Sequence, residues 1–390
     1  MGAELWSDRA VRVGLAGARG GQRPARGGLP LAGDLADAPE LETAGVWSAR
    51  DTSPSDIESA LRELLRKRHE EEAAYVPARV LNLVVVVDRE WKGEIENRLD
   101  RVGRYHPSRT ILCAIEAGRT SFDANASITD DSGRTGMALG WERVEVDIGP
   151  QHVKALGSIV DPLVVTDLAT VIWAPHRHYE AVDALLNLSQ VVLLDSVDEP
   201  EPERAVKRAA GFERQAYVVD LAWLRSTPWR ERVAAIFDPP RFRSALHRIV
   251  GVEVRHHPSS VVAASLLVGW LATRLGWAPG RLAHHGDTLH GRAKARKQEV
   301  AIHLEPVRDM SVPGLMGITI EMDSGASFAF DRGPGGLTAT RKGRDGSEQR
   351  FTALGASRGE SGILGEGIRQ ALLRDPTYGP ALEAAETMLT

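Results

Sequence analysis

From Val46 onward the chain alternates between stretches whose apolar residues recur every three or four positions and short β-branched runs. Ser53-Pro54-Ser55-Asp56 supplies an N-cap, an early proline and an acidic first turn, and Ile57, Leu61, Leu64 and Leu65 follow at helical spacing. A helix is predicted to about Glu72. Val80 to Val87 is apolar on both parities, which describes a strand covered on both faces. Trp91, Ile95, Leu99 and Val102 then predict a helix, and Thr110 to Ile115 a second buried strand. Together these make a βαβ unit, for which a right-handed crossover is expected. Further strands are predicted over Asn125–Ile128, Val144–Ile148, Thr170–Trp173 and Gln190–Leu194, with helices near Gln151–Val160 and Tyr179–Leu186. The alternation predicts an α/β fold, with a Rossmann-like parallel or mixed sheet.

The pattern changes after Asp238-Pro239-Pro240, which sets the expected seam between a Rossmann-like domain over 46–240 and an α+β domain over 241–390. In the second part Ile249–Val254 reads as a strand and Ser259–Leu275 as a long helix stopped by Gly276. Val300–Leu304, Ile318–Met322, Ser327–Phe330 and Leu337–Thr340 alternate apolar and polar residues, as half-exposed antiparallel strands do. Helices over Ile363–Leu373 and Gly379–Leu389 close the chain. The basic run Arg292 to Lys297 reads as a solvated loop. Residues 1–45 are rich in Gly, Ala and Arg without an apolar period, and a disordered tail is expected there. Its glycines Gly14, Gly17, Gly20 and Gly21 lack the preceding strand and the Gly-Lys-Ser/Thr of a phosphate loop.

Composition narrows the function classes. The 390 residues are 43% hydrophobic and 26% charged, with a net charge of -5. That balance gives no blanket attraction to nucleic acid or to an anionic membrane, and no aromatic platform accompanies the basic run. No nucleic-acid or membrane partner is expected: Gly269 and Arg274 interrupt Val261–Leu275 short of the ~18 residues of a span. The one cysteine, Cys113, excludes an internal disulfide and fits a cytoplasmic location. Mid-strand, it reads as a buried, unactivated thiol.

The chain offers little catalytic chemistry. After the first strand the sequence runs Asp88-Arg89-Glu90-Trp91-Lys92-Gly93, with no G-x-G-x-x-G and with carboxylates where a pyrophosphate would sit. No cofactor is expected at that turn. His176, His178, His256, His257, His284, His285 and His290 fall in no H-E-x-x-H frame, and no metal site is expected. Gly157-Ser158 is not a nucleophile elbow. Two residues remain as candidate ligand contacts: His106 in the turn entering the second strand, and Asp195 at a strand's carboxyl end.

The densest block is Asp220 to Pro240, DLAWLRSTPWRERVAAIFDPP. Thr227 is the expected N-cap and Pro228 the first helical residue. Trp229, Val233 and Ile236 or Phe237 are expected to face inward, and Arg230, Glu231 and Arg232 outward. Two readings stand side by side. In one, Trp223 and Trp229 anchor the core and the arginines are solvated. In the other, Trp223, Arg225, Trp229 and Arg230 form a partner surface. The motif D-L-A-W-x-R-x-T-P-W-R over Asp220–Arg230, followed by Phe237-Asp238, resembles the signature of the glucose-6-phosphate dehydrogenase assembly proteins, OpcA. Arg79–Val87, the His-Pro-x-Arg entry within Tyr105–Ile115, and Ala264–Trp277 resemble further blocks of that family, in the family's order, from Val46 to the C-terminus.

The resemblance implies a non-catalytic partner that binds glucose-6-phosphate dehydrogenase, promotes its active oligomer and supports NADPH supply in the oxidative pentose phosphate pathway. By linkage, a partner that binds the active assembly more tightly shifts the population toward it. A single Cys113 cannot form the internal dithiol that redox control through this chain would need. The competing reading is a sugar-phosphate enzyme or ligand-binding protein using Asp195, His106 and the basic run. A third is a regulatory protein whose Rossmann-like part takes NADPH or glucose 6-phosphate as effector.

Overall fold

The computed structural model describes residues 43–73, 75–77, 79–103, 107–130, 139–333, 336–354 and 360–390, all within the unit Leu41–Thr390. The tail expected over 1–45 lies outside the described residues as far as residue 42, and Thr43 already opens a strand.

The first half runs β1 (Thr43–Ala49), α1 (Pro54–Glu71), β2 (Val76–Pro77), β3 (Leu81–Asp88), α2 (Lys92–Gly103), β4 (Ser108–Ile115), β5 (Asp123–Asp130), β6 (Leu139–Ile148), α3 (Leu156–Val160), β7 (Thr170–Trp173), α4 (Tyr179–Leu185), β8 (Val191–Leu194), α5 (Pro202–Glu213) and β9 (Tyr217–Asp220). Its strands form a nine-stranded sheet in the order β1-β5-β6-β4-β3-β7-β8-β9, with β2 beside β6. The path from β6 through β4, β3, β7 and β8 to β9 is parallel throughout. Numbered along the chain, these six strands lie 3-2-1-4-5-6, the arrangement of a doubly wound nucleotide-binding sheet. β5 and β1 add an antiparallel edge. β4 is buried along its whole length and β3 along all but its last residue, as strands covered on both faces must be. α1 begins in a capping box in which Ser53 and Asp56 satisfy each other's backbone N–H groups.

The second half runs α6 (Leu221–Arg225), α7 (Thr227–Phe237), α8 (Pro240–Arg243), β10 (Ile249–His256), α9 (Val261–Leu275), β11 (Ala278–Pro279), β12 (Ala283–His285), β13 (Thr288–Lys294), β14 (Glu299–Pro306), β15 (Leu315–Met322), β16 (Ser327–Gly333), β17 (Gly336–Lys342), β18 (Glu348–Leu354), α10 (Glu360–Leu373) and α11 (Tyr378–Leu389). A second nine-stranded sheet is ordered β11-β13-β14-β10-β15-β16-β17-β18, with β12 beside β13. β10 and β14 are parallel and the remaining pairs antiparallel.

α9 is buried nearly all round and ends at Gly276, whose left-handed φ of 69° closes the helix. Pro258–Leu275 is long and apolar enough to cross a membrane by length and composition, contrary to the expectation from Gly269 and Arg274, and 61% of that stretch is buried inside the protein. Gly269 explains how close the neighbours come: a Cβ there would lie 2.4 Å from the Ala381 carbonyl oxygen on α11. The closing helices pack back against the first sheet. α10 touches α2, α6, β8 and β9, and α11 touches α9 and α5.

The predicted helix over Gln151–Val160 is instead a 3₁₀ turn, Pro150–Ala155, followed by the short α3. The expected basic loop is half strand, because Arg292–Lys294 finish β13 and Arg292 pairs with Glu299 on β14 at 2.6 Å.

Candidate functional site

In a sheet ordered 3-2-1-4-5-6 ligands sit where the strand order reverses, outside the carboxyl ends of the strands. Here that point lies between β3 and β7. β3 ends at Asp88 and turns through a 3₁₀ segment, Arg89–Trp91, straight into α2. β7 leads into Pro175-His176-Arg177, where His176 and Arg177 take left-handed φ values of 63° and 70°. Such a conformation is costly for side chains with a Cβ and persists only where surrounding contacts impose it. The contacts are visible. The Trp91 and His176 rings lie 4.8 Å apart, and His178 Nε2 lies 3.3 Å from Asp88 Oδ2. Burial holds the His176 imidazole pKa below its usual value. Lys92 Nζ lies 3.1 Å from both Glu145 and Asp147, at the carboxyl end of β6. The turn after β3 thus carries a ring pair toward β7 and, at the start of α2, a lysine paired with carboxylates of β6, in place of the glycine turn that brings a backbone close to a pyrophosphate.

Two strands further along, Asp195 follows β8 and Asp220 ends β9. Asp195 meets Arg225 through both oxygens, at 2.9 and 2.7 Å, and both side chains are mostly buried. Burial, reinforced by the Asp195 charge, pushes the Asp198 carboxyl to about 6. Asp220 is 1% exposed and accepts hydrogen bonds from the Ser196 and Ala222 N–H groups at 3.1 and 2.9 Å. Burial, with Asp195 next, pushes its pKa to about 7 against those bonds. Its second oxygen and the Tyr378 hydroxyl are buried without a hydrogen bond of standard geometry, and burial beside this carboxyl holds the phenol pKa well above its ordinary value.

The signature block is a latch on the C-terminal helices. The Trp223 indole N–H donates to Asp375, in the turn between α10 and α11, at 2.9 Å. Arg230 lies over the Trp223 ring at 3.4 Å, donates to the Trp223 carbonyl at 2.7 Å and to the Thr227 hydroxyl at 3.1 Å, and lies 3.9 Å from Asp375. Trp223, Trp229 and Arg230 are 2%, 3% and 7% exposed.

Two details of α7 differ from the sequence reading. Arg230 does not face solvent, because stacking on Trp223 and the carbonyl it caps draw it inward. Thr227 is the first residue of α7 and Ser226 precedes it as N-cap, so the Thr227 hydroxyl is left to accept from Arg230.

Of the residues singled out in the sequence, the structure brings Asp195 and Arg225 into contact, and joins Trp223 to Arg230. Trp229 is buried on the inner face of α7. His106 lies outside the described residues. The His-Pro-x-Arg block speaks instead through Arg109, which is 4% exposed, donates to Glu142 on β6 at 2.6 Å and to Glu58 and the Leu163 carbonyl at 3.1 and 3.0 Å. Nothing in the sequence paired Arg109 with Glu142, since 33 residues separate them. Cys113 is fully buried, and burial pushes its thiol pKa to about 12. The His290 ring stacks on His303 at 4.1 Å and meets His285 edge to face at 4.9 Å. Among the described residues, no group of three His, Cys, Asp or Glu side chains is placed to hold a metal ion.

Residues 99–211 match the family model described as the N-terminal domain of the glucose-6-phosphate dehydrogenase subunit, and residues 216–382 match the model for its C-terminal domain. A Synechococcus elongatus protein, OpcA, whose provisional name ties it to the OxPP cycle, is 26% identical over 185 residues, 46% of this chain and 42% of that protein. Its Synechocystis namesake is 28% identical over 131 residues, 33% of this chain and 28% of that protein. The chain thus matches less than half the length of either relative. Among solved structures, an oxidoreductase from Sinorhizobium meliloti is 11% identical with a TM-score of 0.44, covering 80% of this chain and 97% of its own. An oxidoreductase domain protein from Kribbella flavida is 12% identical with a TM-score of 0.44, covering 79% and 95%. Likeness of that degree carries no argument about chemistry. The two family models run consecutively through most of the described sheets and helices, the first ending in the last turn of α5 and the second starting just before β9: the chain belongs to the glucose-6-phosphate dehydrogenase assembly protein family, OpcA.

Proposed function

We propose that this protein is a non-catalytic assembly factor that binds glucose-6-phosphate dehydrogenase, favours its active oligomer and thereby raises NADPH production in the oxidative pentose phosphate pathway. The observation that carries the reading beyond family membership is the state of the switch point. A sheet with the strand order of a dinucleotide-binding enzyme has Trp91 against His176, and Lys92 against Glu145 and Asp147, where such an enzyme cradles phosphates. Of the buried carboxyls nearby, Asp195 is paired with Arg225, and one oxygen of Asp220 accepts from two backbone N–H groups. A scaffold of this kind acts on a partner by binding one of its assembly states more tightly than another.

Trp223, Trp229 and Arg230 are internal and Arg225 is half-buried against Asp195, so these side chains support the reading by holding the block in place rather than by supplying exposed anchors. The experiment is light scattering of the dehydrogenase from the same organism, with and without this chain, across the concentration at which the enzyme alone dissociates. The reading expects a heavier enzyme assembly containing both proteins. An unchanged mass distribution at micromolar concentrations of both would refute it.

A further inference from the structure

α5 carries a basic stripe that neither the latch nor the switch point uses. Arg204, Lys207, Arg208, Gly211, Arg214 and Gln215 recur at intervals of three, four, seven, ten and eleven, which puts them on one face of the helix and its C-cap. They line a groove of about 460 Å³ with Asp183, Glu199 and Phe212. That volume is in the range of small-molecule sites, roughly 300–1,000 Å³.

The charges are unequally committed. Arg204 pairs with Glu201 at 3.1 Å, and Arg208 with Asp183 at 3.5 Å. Arg208 is also stacked over Tyr179 at 4.7 Å, which holds its fork in place. Glu199 is 6% exposed. Lys207 and Arg214 are exposed and make no ion pair among the described residues. Gly211 lies between them, and a Cβ added to it would sit 3.9 Å from the Arg214 guanidinium. At about 1.5 Å per residue Lys207 and Arg214 lie ~10 Å apart along α5. A single phosphate held at one of them draws the other out of its extended position, whereas a ligand with phosphoryl groups at two separated points meets both where they stand. Arginine forks suit phosphate oxygens, and a lysine adds a point charge.

We infer that the α5 groove is an effector site for an extended ligand carrying more than one phosphoryl group, of the phosphorylated-nucleotide class, with Lys207 and Arg214 as its two anchoring cations. The site is well placed to report occupancy. Arg208 and Glu199 also line the cleft against Asp195, Ser196 and Asp198, and α5 packs on α11.

The test uses the full chain alone, so its outcome is independent of the dehydrogenase. Thermal unfolding and calorimetric titration are run with NADPH as the multiply phosphorylated probe, glucose 6-phosphate as the singly phosphorylated one, and inorganic phosphate. The inference expects NADPH to bind at least ten times more tightly than glucose 6-phosphate, with affinity falling as salt rises. It expects the Lys207→Glu, Arg214→Glu double variant, whose native side chains are exposed and unpaired, to unfold at the wild-type temperature and to lose that binding at least tenfold.

Several results overturn the inference. One is no saturable NADPH binding up to millimolar concentration. Another is binding untouched by the double variant, which would place the ligand elsewhere. Glucose 6-phosphate binding as tightly as NADPH would refute the two-ended site. Displacement of NADPH by a hexaglutamate peptide at lower concentration would assign the groove to an acidic protein segment.

Discussion

Replacing Asp375 by alanine removes the acceptor at the centre of the latch. Its carboxylate takes hydrogen bonds from the Trp223 indole at 2.9 Å and from the Thr377 N–H and hydroxyl at 2.9 and 2.6 Å, and lies 3.9 Å from Arg230. Thr377 is half-buried and can turn to water, so the loss concentrates on two groups that cannot. One is the buried indole N–H, and an orphaned donor costs about 1–3 kcal/mol. The other is Arg230, whose pKa burial already lowers to about 10 and whose nearby carboxylate would be gone. Breaking a fully buried charge pair costs about 3–5 kcal/mol. Asp375 keeps 26% of its side chain exposed and lies 3.9 Å from Arg230, which retains the Trp223 carbonyl and the Thr227 hydroxyl, so this pairing adds less. We expect about 2–3 kcal/mol in urea unfolding at pH 7, with Trp223→Phe costing about 1–2 kcal/mol and coupling to Asp375→Ala in a double-mutant cycle.

The pH dependence adds a second check. Burial opposes ionisation of Asp375, but the bonds from Thr377 and Trp223 and the charge of Arg230 outweigh it, so its folded pKa lies below the ordinary carboxylate value. A depressed carboxylate stabilises above its unfolded pKa, and that stabilisation is lost as pH falls through the folded pKa. The gap between wild type and Asp375→Ala should therefore narrow in strong acid. A loss under about 0.5 kcal/mol at pH 7, the range of ordinary surface substitutions, would refute the latch.

Asp220 has the opposite sign: with its folded pKa raised to about 7 from 3.8, its contribution is complete below 3.8 and is lost as pH rises through 7. Asp220→Asn should be the more stable protein at pH 8, by at most about 4 kcal/mol at ~1.4 kcal/mol per unit, and a pH–stability curve parallel to wild type would contradict this. Gly269→Val puts side-chain atoms where a Cβ alone would lie 2.4 Å from the Ala381 carbonyl oxygen. It should destabilise by about 1–3 kcal/mol or more through overpacking between α9 and α11, and an unchanged melting temperature would show that the helices separate freely.

Much of the first sheet was legible because β3 and β4 are apolar on both parities, a pattern that parallel strands under helices require. β9 is only four residues long and was hidden in front of the signature block. α5 was missed although Ala205, Val206, Ala209 and Phe212 form its buried stripe, because the acidic run Asp198 to Glu203 reads as loop and masks the helix start at Pro202. β18 was missed because it is an edge strand rich in polar residues, and Phe351 is 54% exposed.

The candidate site was legible as residues but not as contacts. Asp195 stood out as a strand-end carboxylate, yet its partner Arg225 lies 30 residues away. Trp223 and Arg230 stood out as interface types, while the acceptor that turns them inward, Asp375, lies 152 residues beyond Trp223. Local periodicity assigns a face to a side chain; it cannot announce a partner brought back by the closing helices.

The most direct measurement of the central claim is the initial rate of NADPH formation by the same organism's glucose-6-phosphate dehydrogenase, at a fixed low enzyme concentration, as this chain is titrated in. The account predicts a saturable rise in rate, together with no NADPH formation when this chain is given glucose 6-phosphate and NADP⁺ without the enzyme. A flat titration, or turnover by the chain alone, would contradict it.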